Sequence, residues 1–189
     1  MGQSSSRSQL TPNQIRKPSM TSPIDAEDKR LEELRDIERP KLYLNQIELI
    51  SSSWKMAESD IEKVGVVMFI QLFETHPDVR DTFTPFRGLP ASELQYSSIL
   101  KAHALRVMGT VEKVLARIDQ RPKLIAMLHD LGRKHATYKA KREYFDLIGP
   151  QFLFAIRPSI ESIWSDELEE AWLTLFRFVT HVMREVIYD

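Results

Sequence analysis

Cysteine is absent from this chain of 189 residues, and its absence excludes several kinds of chemistry. A chain without thiols forms no disulfide, no iron–sulfur cluster, no thiolate–metal bond and no cysteine nucleophile. Long apolar runs are also missing, since none reaches the roughly 18 residues that span a bilayer. The N-terminus lacks the apolar segment of a secretory signal. We therefore expect an intracellular protein.

An excess of charge of either sign is missing as well. The 26 Lys and Arg residues nearly balance the 27 Asp and Glu residues, so no basic field favours nucleic acid as a partner. A hydrophobic fraction of 42% beside 28% charged residues is typical of a soluble globular protein. The length predicts one domain of about 150 residues with an appendage. We place an N-terminal extension at residues 1–40 and the domain at residues 41–189.

The extension itself divides in two. Residues 1–23 are rich in Ser, Thr, Gln and Pro, which predicts disorder, whereas the dense mixed charge of residues 24–40 predicts a short solvated helix. The opening MGQSSS fits the N-myristoylation pattern, with Gly2 as the acceptor and Ser6 at the expected position. A chance match in a serine-rich tail is the alternative. Because one acyl chain binds membranes only marginally, we expect at most reversible attachment, peripheral on the plasma membrane.

The domain carries a series of helical patterns and no convincing strand. The helices are predicted to begin near Asn45, Ser59, Pro77, Tyr96, Leu124, Glu143 and Ser165. Asn45 and Ser59 are each followed three residues later by glutamate, as in a capping box. Residues 83–90 break the pattern and predict an irregular corner. Prolines predict kinks or a ragged start in the Glu143 helix, and the last helix is predicted to end at Tyr188. Seven to eight helices predict an all-α domain.

Two histidines lie on the apolar faces of separate predicted helices. At about 100° per residue, His135 lies roughly 20° from Leu128, and His103 lies about 40° from Ile99. A lone histidine on an apolar face is usually bonded to the backbone. Two such histidines, 32 positions apart, could instead face each other across a flat buried group. Haem is held by axial imidazoles of this kind, so we predict a haem site.

Several separated features, taken in chain order, resemble a globin from about Leu42 to Ile187. His103 with Val107 resembles the distal pair, and His135 in Leu-Gly-Arg-Lys-His resembles the proximal ligand. The other matching residues are Trp54, Gly65, Phe69, Pro77, Phe83 and Ala104. Gly65 and Ala104 match the small residues at which two globin helices cross. The local phrases resemble neuroglobin and, because of the long tail that begins with Gly2, globin X. Fish-type globin X carries an acylable cysteine where this chain has Gln3.

This resemblance implies a globin fold of seven to eight helices that holds haem b. It implies His135 as the proximal iron ligand and His103 as the distal iron ligand, which O2, CO, NO or nitrite replaces on binding. We expect the second ring N–H of His135 to bond a carbonyl near Leu131. Arg106 is predicted to pair with a haem propionate, although a solvated helix charge is the alternative. The apolar wall is predicted from Phe69, Phe83, Val107, Phe145, Ile148 and Phe176.

Function is wider than fold, and three hypotheses remain at this point. The first is a haem protein that binds diatomic gases for oxygen storage, transport or sensing. The second is a redox protein with a partner protein at a membrane surface, acting in electron transfer, nitrite reduction or nitric oxide chemistry. The third is a haem-free signalling module, which the two retained histidines argue against. The remaining histidines, His76, His129 and His181, are expected to take no part.

Overall fold

The computed structural model describes residues 23–188, with side chains from Glu27 onward except that of Ala91. Gly2 and nearly all of the segment predicted to be disordered lie outside the described residues. The chain forms two compact units, of which the second begins at Arg39. The described part of the first unit is helix α1, Pro23–Glu38. None of the helices in residues 23–188 is long and apolar enough to cross a membrane.

The second unit is built from helices, and residues 39–188 contain no strand. Its α-helices are α2 (Leu44–Ala57), α3 (Ile61–Thr75), α4 (Pro77–Thr82), α5 (Ala91–Leu94), α6 (Ser98–Leu115), α7 (Arg121–Thr137), α8 (Ile148–Ile160) and α9 (Asp166–Arg184). A run of 3-10 helix, Arg142–Leu147, leads into α8, which is the ragged start that the prolines predicted. The all-α prediction is confirmed.

Two predicted capping boxes are wrong. Helix α2 begins at Leu44, because the backbone N–H of Tyr43 donates to Gln46 Oε1 at 3.0 Å and makes Tyr43 the capping position. Helix α3 begins at Ile61, after a 3-10 turn, and no side chain caps it. The carboxylate of Asp60 instead accepts a hydrogen bond from Ser159 Oγ at 3.1 Å. Asp60 therefore occupies the capping position in place of the predicted Ser59, and its carboxylate is held by a residue 99 positions along the chain.

The last helix has the predicted start but not the predicted end. Ser165 caps α9, and its Oγ accepts a hydrogen bond from the backbone N–H of Leu168 at 3.2 Å. The helix ends at Arg184 rather than Tyr188. Beyond it, the Ile187 carbonyl accepts a hydrogen bond from Arg142 Nη1 at 2.7 Å, so a tertiary contact replaces the next helical turn.

The core lies where α3 packs against α6 and α8, and where α9 packs against α2, α7 and α8. At its centre, the buried Trp172 donates from Nε1 to Ser53 Oγ at 3.0 Å, and Ser53 donates to the Ile50 carbonyl at 2.9 Å. A Cβ on Gly65 would lie 3.0 Å from Ala104 Cβ and 3.3 Å from the Ala104 carbonyl oxygen. The predicted close crossing of two helices at small residues is therefore confirmed, and it fixes the start of α6 against α3.

The corner between α4 and α5 is irregular, as predicted, and is fastened by two arginines. Arg87 Nε donates to the Asp81 carbonyl at 3.0 Å, and Arg80 Nη1 donates to the Leu89 carbonyl at 3.1 Å. Gly88 has a φ of +75°, a left-handed conformation that glycine adopts without strain. These contacts hold the corner so that its two phenylalanines face the core.

Candidate functional site

Helix α7 presents His135 from the last turn of its inner face. Pro122 starts the helix, because its fixed φ and missing N–H suit the first turn. Leu124 and Leu128 are buried beneath it. His135 Nδ1 lies 2.9 Å from the Leu131 carbonyl oxygen, and since a carbonyl only accepts, Nδ1 carries the proton. The predicted hydrogen bond is confirmed, and in the neutral ring it leaves the Nε2 lone pair available.

Helix α6 presents the second histidine. The Ser97 side chain caps the helix by accepting from the Leu100 N–H at 3.3 Å. One and a half turns later, His103 is half-buried, with its ring centroid 4.9 Å from that of Phe69. Burial, with further contributions from the charges of Arg106 and His135, lowers the pKa of His103 to about 4. His103 is therefore neutral at physiological pH, and His135 lies near enough to contribute to the lowered pKa.

Aromatic rings surround the two imidazoles. The Phe83 ring lies 5.5 Å from His103 and 6.2 Å from Phe69, in both cases edge to face. Phe83 in turn stacks on the buried Phe86 at 6.0 Å, which anchors it to the corner. On the other side, the buried Phe145 lies 5.5 Å from the His135 ring. Each histidine is thus oriented by a phenylalanine wall on its own side.

The chemistry of these side chains fits a haem. Neutral imidazole is the form that binds iron, and His135 has its Nδ1–H engaged by a carbonyl, as metal-bound histidines do. His103 is kept neutral by its surroundings. The aromatic rings beside both histidines supply the apolar surface that a porphyrin needs. The donor set therefore suits a flat apolar group with a metal at its centre.

Comparison with known proteins identifies the fold that builds this site. A sequence model of the family described as Globin matches residues 66–183, which include both histidines. This chain belongs to the globin family. A neuroglobin from Chaenocephalus aceratus is 30% identical over 147 residues, covering 77% of this chain and 92% of that protein. Cytoglobin-1 from Oryzias latipes is 27% identical over 129 residues, covering 67% and 73%. The predicted similarity to neuroglobins is confirmed.

A solved structure of another protein has the same fold as this globin. The crystal structure of a hexacoordinated haem protein from an anhydrobiotic tardigrade superposes with a TM-score of 0.73 at 22% identity. The match covers 79% of this chain and 97% of that chain. The predicted globin fold of seven to eight helices is confirmed, with eight α-helices in residues 39–188.

The remaining predicted wall residues of this globin lie on α6, α8 and α9. Val107 and Ile148 are half-buried and pack against the core. Phe176 is buried, with its ring 4.8 Å from Phe152 and 6.4 Å from Trp172. These rings belong to the centre of the core. A place for these three residues in a haem wall stays a prediction, whereas Phe69, Phe83 and Phe145 lie directly beside the histidines.

Arg106 is exposed at the outer edge of the site. Its Nη2 lies 3.4 Å from His103 Nδ1, a long and weak hydrogen bond. Because a guanidinium only donates, this contact makes Nδ1 the acceptor and assigns the ring proton to Nε2. In this arrangement His103 presents an N–H donor toward the site, and binding iron through Nε2 would require the proton to move to Nδ1.

Sequence reasoning missed a polar cluster behind α7. His129, which was expected to take no part, has Nε2 2.8 Å from Glu185 Oε2. Glu185 also accepts two hydrogen bonds from the buried Arg39, at 2.8 and 2.6 Å. The partners lie 56 and 146 positions apart, so no local spacing could have indicated them. The one feature of the sequence that pointed to this cluster was His129, which lies beside the apolar face of its helix rather than within it.

Proposed function

We propose that this globin binds one haem b between His103 and His135, and through it O2, CO and NO. The proposal is carried by the pair of imidazoles at one site together with one bond, which joins His135 Nδ1 to the Leu131 carbonyl at 2.9 Å. It fixes the tautomer, orients the ring and raises the basicity of Nε2, as second contacts of metal-bound histidines do. When bound, haem supplies an iron centre with a sixth position for a diatomic ligand. The biological use would be oxygen storage, transport or sensing.

His103 is proposed to take that sixth position when no external ligand is bound. Phe69 and Phe83 shield part of the His103 ring from water, so coordination offsets the cost of leaving a ring nitrogen unpaired. An external ligand must then displace His103, which lowers its apparent affinity by the fraction of protein in the open state. Once displaced, His103 has the alternative tautomer in which Nε2–H donates a hydrogen bond toward the site.

Arg106 is proposed to select between these two states. Its weak contact with Nδ1 at 3.4 Å favours the donor tautomer of His103. A propionate would offer the guanidinium a planar, charge-assisted pair that is stronger than this contact. Pairing with propionate would therefore release Nδ1 to carry the proton and leave Nε2 as an iron ligand. In the haem-bound protein Arg106 would therefore act in haem retention, and His103 would bind the iron without its help.

The phenylalanine walls are proposed to protect the site from water. Phe69 and Phe83 cover the His103 side, and Phe145 covers the His135 side. Val107, Ile148 and Phe176 are proposed to complete the wall. Excluding water strengthens the interactions of the imidazoles inside the site and restricts proton leakage.

The test of this proposal is the haem content of His135→Ala. We expect the purified wild-type chain to retain one b-type haem per protein and the variant to lose most of it. His76→Ala is the matched control, because His76 lies at the start of α4 and its Nδ1 pairs with Thr75 Oγ1. Full haem content with an unchanged spectrum in His135→Ala would overturn the ligand assignment.

A second candidate function is a redox protein that transfers electrons or acts on nitrite or nitric oxide. The two imidazoles at one site favour it, since an iron that keeps both protein ligands needs no external ligand during electron transfer. Rapid loss of the reduced spectrum in air, together with reaction with nitrite, would favour this candidate. A lasting oxygen-bound spectrum would favour oxygen binding.

Membrane attachment is a separate proposal that rests on the sequence at Gly2. We propose myristoylation there and reversible binding to the inner face of the plasma membrane, where a redox partner would act. Co-expression with an N-myristoyltransferase should move part of the wild-type protein to membranes, because one acyl chain binds only marginally. Gly2→Ala should remain in the soluble fraction. Equal soluble fractions for both proteins would show that the motif is a coincidence.

A further inference from the structure

The polar cluster behind α7 joins three parts of the second unit. Arg39 is buried at the start of that unit, and its Nε and Nη2 donate to the two carboxylate oxygens of Glu185 at 2.8 and 2.6 Å. His129 of α7 donates from Nε2 to Glu185 Oε2 at 2.8 Å, and His181 Nε2 lies 3.7 Å from Oε1. We call these four residues the Glu185 cluster. It ties α7 to the residues that follow α9.

A second contact joins α7 to the end of α9, and it lies one helical turn closer to His135 than His129 does. A Cβ added to Gly132 would overlap the Met183 carbonyl oxygen and lie 2.8 Å from Val186 Cγ2. The backbones of α7 and α9 therefore touch at Gly132. Among the described helices, α9 is the main packing partner of α7. The position and tilt of α7 consequently depend on the stability of its interface with α9.

The orientation of His135 depends on that pose. Its Nδ1 is bonded to the Leu131 carbonyl of the same helix, so the ring is fixed relative to α7 and turns with it. His129 lies six residues before His135, about 9 Å along the helix axis. A tilt or slide of α7 at His129 therefore reaches the imidazole through a rigid segment.

We propose that the Glu185 cluster is a positioning device that sets the pose of His135. Arg39 holds the Glu185 carboxylate with two parallel bonds, and the carboxylate in turn holds His129 by a charge-assisted hydrogen bond, which is stronger and more directional than apolar packing. His129, Glu185 and Arg39 are positioning residues, since none touches the site. This inference rests on the proposed function, because it concerns the bond between His135 and haem iron.

The test compares full-length holoproteins in a His103→Leu background, where His135 is the sole protein ligand. The readouts are the iron–histidine stretching band in resonance Raman spectra and the rate of haem transfer to an acceptor apoglobin. We expect His129→Ala to shift and broaden the band and to speed haem transfer about tenfold, the lower end of the effect of losing one hydrogen bond to a charged group. Alanine favours helix, so α7 itself should persist.

Two further variants separate positioning from general destabilisation. His129→Gln should restore most of the wild-type band, because the amide can donate to Glu185 from nearly the same place. Ser53→Ala removes a buried hydrogen bond to Trp172 that does not involve α7, and it should lower thermal stability without moving the band. Glu185→Gln, which keeps the shape of the side chain, should give an intermediate shift even if His129→Ala fails to fold.

The outcomes are distinguishable. An unchanged band and transfer rate in His129→Ala and Glu185→Gln would overturn the positioning role while leaving haem binding intact. An equal shift in Ser53→Ala would also overturn it, because the effect would then follow stability alone. Failure of the parent His103→Leu protein to hold haem through His135 would instead refute the proposed function.

Discussion

Replacing Gly132 by alanine should destabilise this globin, although the same change usually strengthens a helix. Gly132 lies inside α7, three residues before His135. A Cβ there would overlap the Met183 carbonyl oxygen and lie 2.8 Å from Val186 Cγ2. The obstructing atom belongs to the backbone of α9 and cannot rotate away. One helix must therefore move for the methyl group to fit.

Two opposing contributions decide the size of the effect. Alanine gains about 1 kcal/mol over glycine in a helix interior. Overpacking a close contact costs about 1–3 kcal/mol, and a backbone obstruction places Gly132 near the upper end of that range. The net loss in the free energy of unfolding should be about 2 kcal/mol, which lowers the Tm by about 4–8 °C for a domain of this size.

Gly109 provides a matched control. It lies inside α6, and a Cβ added there meets no atom within 4 Å. Gly109→Ala should therefore gain the helix contribution alone, about 1 kcal/mol, and raise the Tm by about 2–4 °C. Thermal unfolding followed by far-UV circular dichroism, with all proteins in one ligation state, measures both changes. The reasoning is refuted if Gly132→Ala is as stable as Gly109→Ala, since α7 and α9 would then not touch at Gly132.

Three other perturbations have defined outcomes. Gly88→Ala should lower the unfolding free energy by about 1–2 kcal/mol in urea titrations, because the φ of +75° is strained for alanine; no loss would mean that the corner relaxes. Burial alone would raise the pKa of Glu185, but hydrogen bonds from Arg39 and His129 hold it below the ordinary 4.5. The free energy of unfolding of wild type should thus exceed that of Glu185→Gln by a constant amount above pH 4.5. The difference should shrink as the pH falls through the pKa that Glu185 has in the folded protein, and a constant difference from pH 3 to 7 would contradict this. Arg106→Ala should speed haem loss while keeping the six-coordinate ferrous spectrum, and an unchanged rate in haem-transfer assays would leave Arg106 a solvated helix charge.

The parts of the fold that could be predicted from sequence depend on local periodicity. A period of 3.6 residues fixes direction within a helix, and it correctly assigned His135 to the face of the buried Leu128. For His103 the reference residue was wrong, since Ile99 is 55% exposed, although His103 itself is half-buried. The Ser165 cap was predicted because its partner, Leu168, lies three residues away. The bond from His135 to the Leu131 carbonyl was expected from the resemblance to globins, and its two residues lie one helical turn apart.

The parts that could not be predicted depend on distant partners. The capping position of α3 is Asp60 rather than the predicted Ser59, and its carboxylate bonds Ser159. Helix α9 ends early where Arg142 bonds the Ile187 carbonyl. The contact between His129 and Glu185 joins residues 56 positions apart. In each case a polar group bonds a residue far along the chain instead of one nearby, and only the packed chain brings the distant residue within reach.

The absorption spectrum of the deoxygenated ferrous protein tests the central claim most directly. If His135 and His103 both bind the iron, wild type should show the sharp, split visible bands of a six-coordinate low-spin haem. His103→Leu should change these to the single broad band of a five-coordinate haem and should bind CO faster at high ligand concentration. A wild-type spectrum that is already five-coordinate and does not change in His103→Leu would contradict the account.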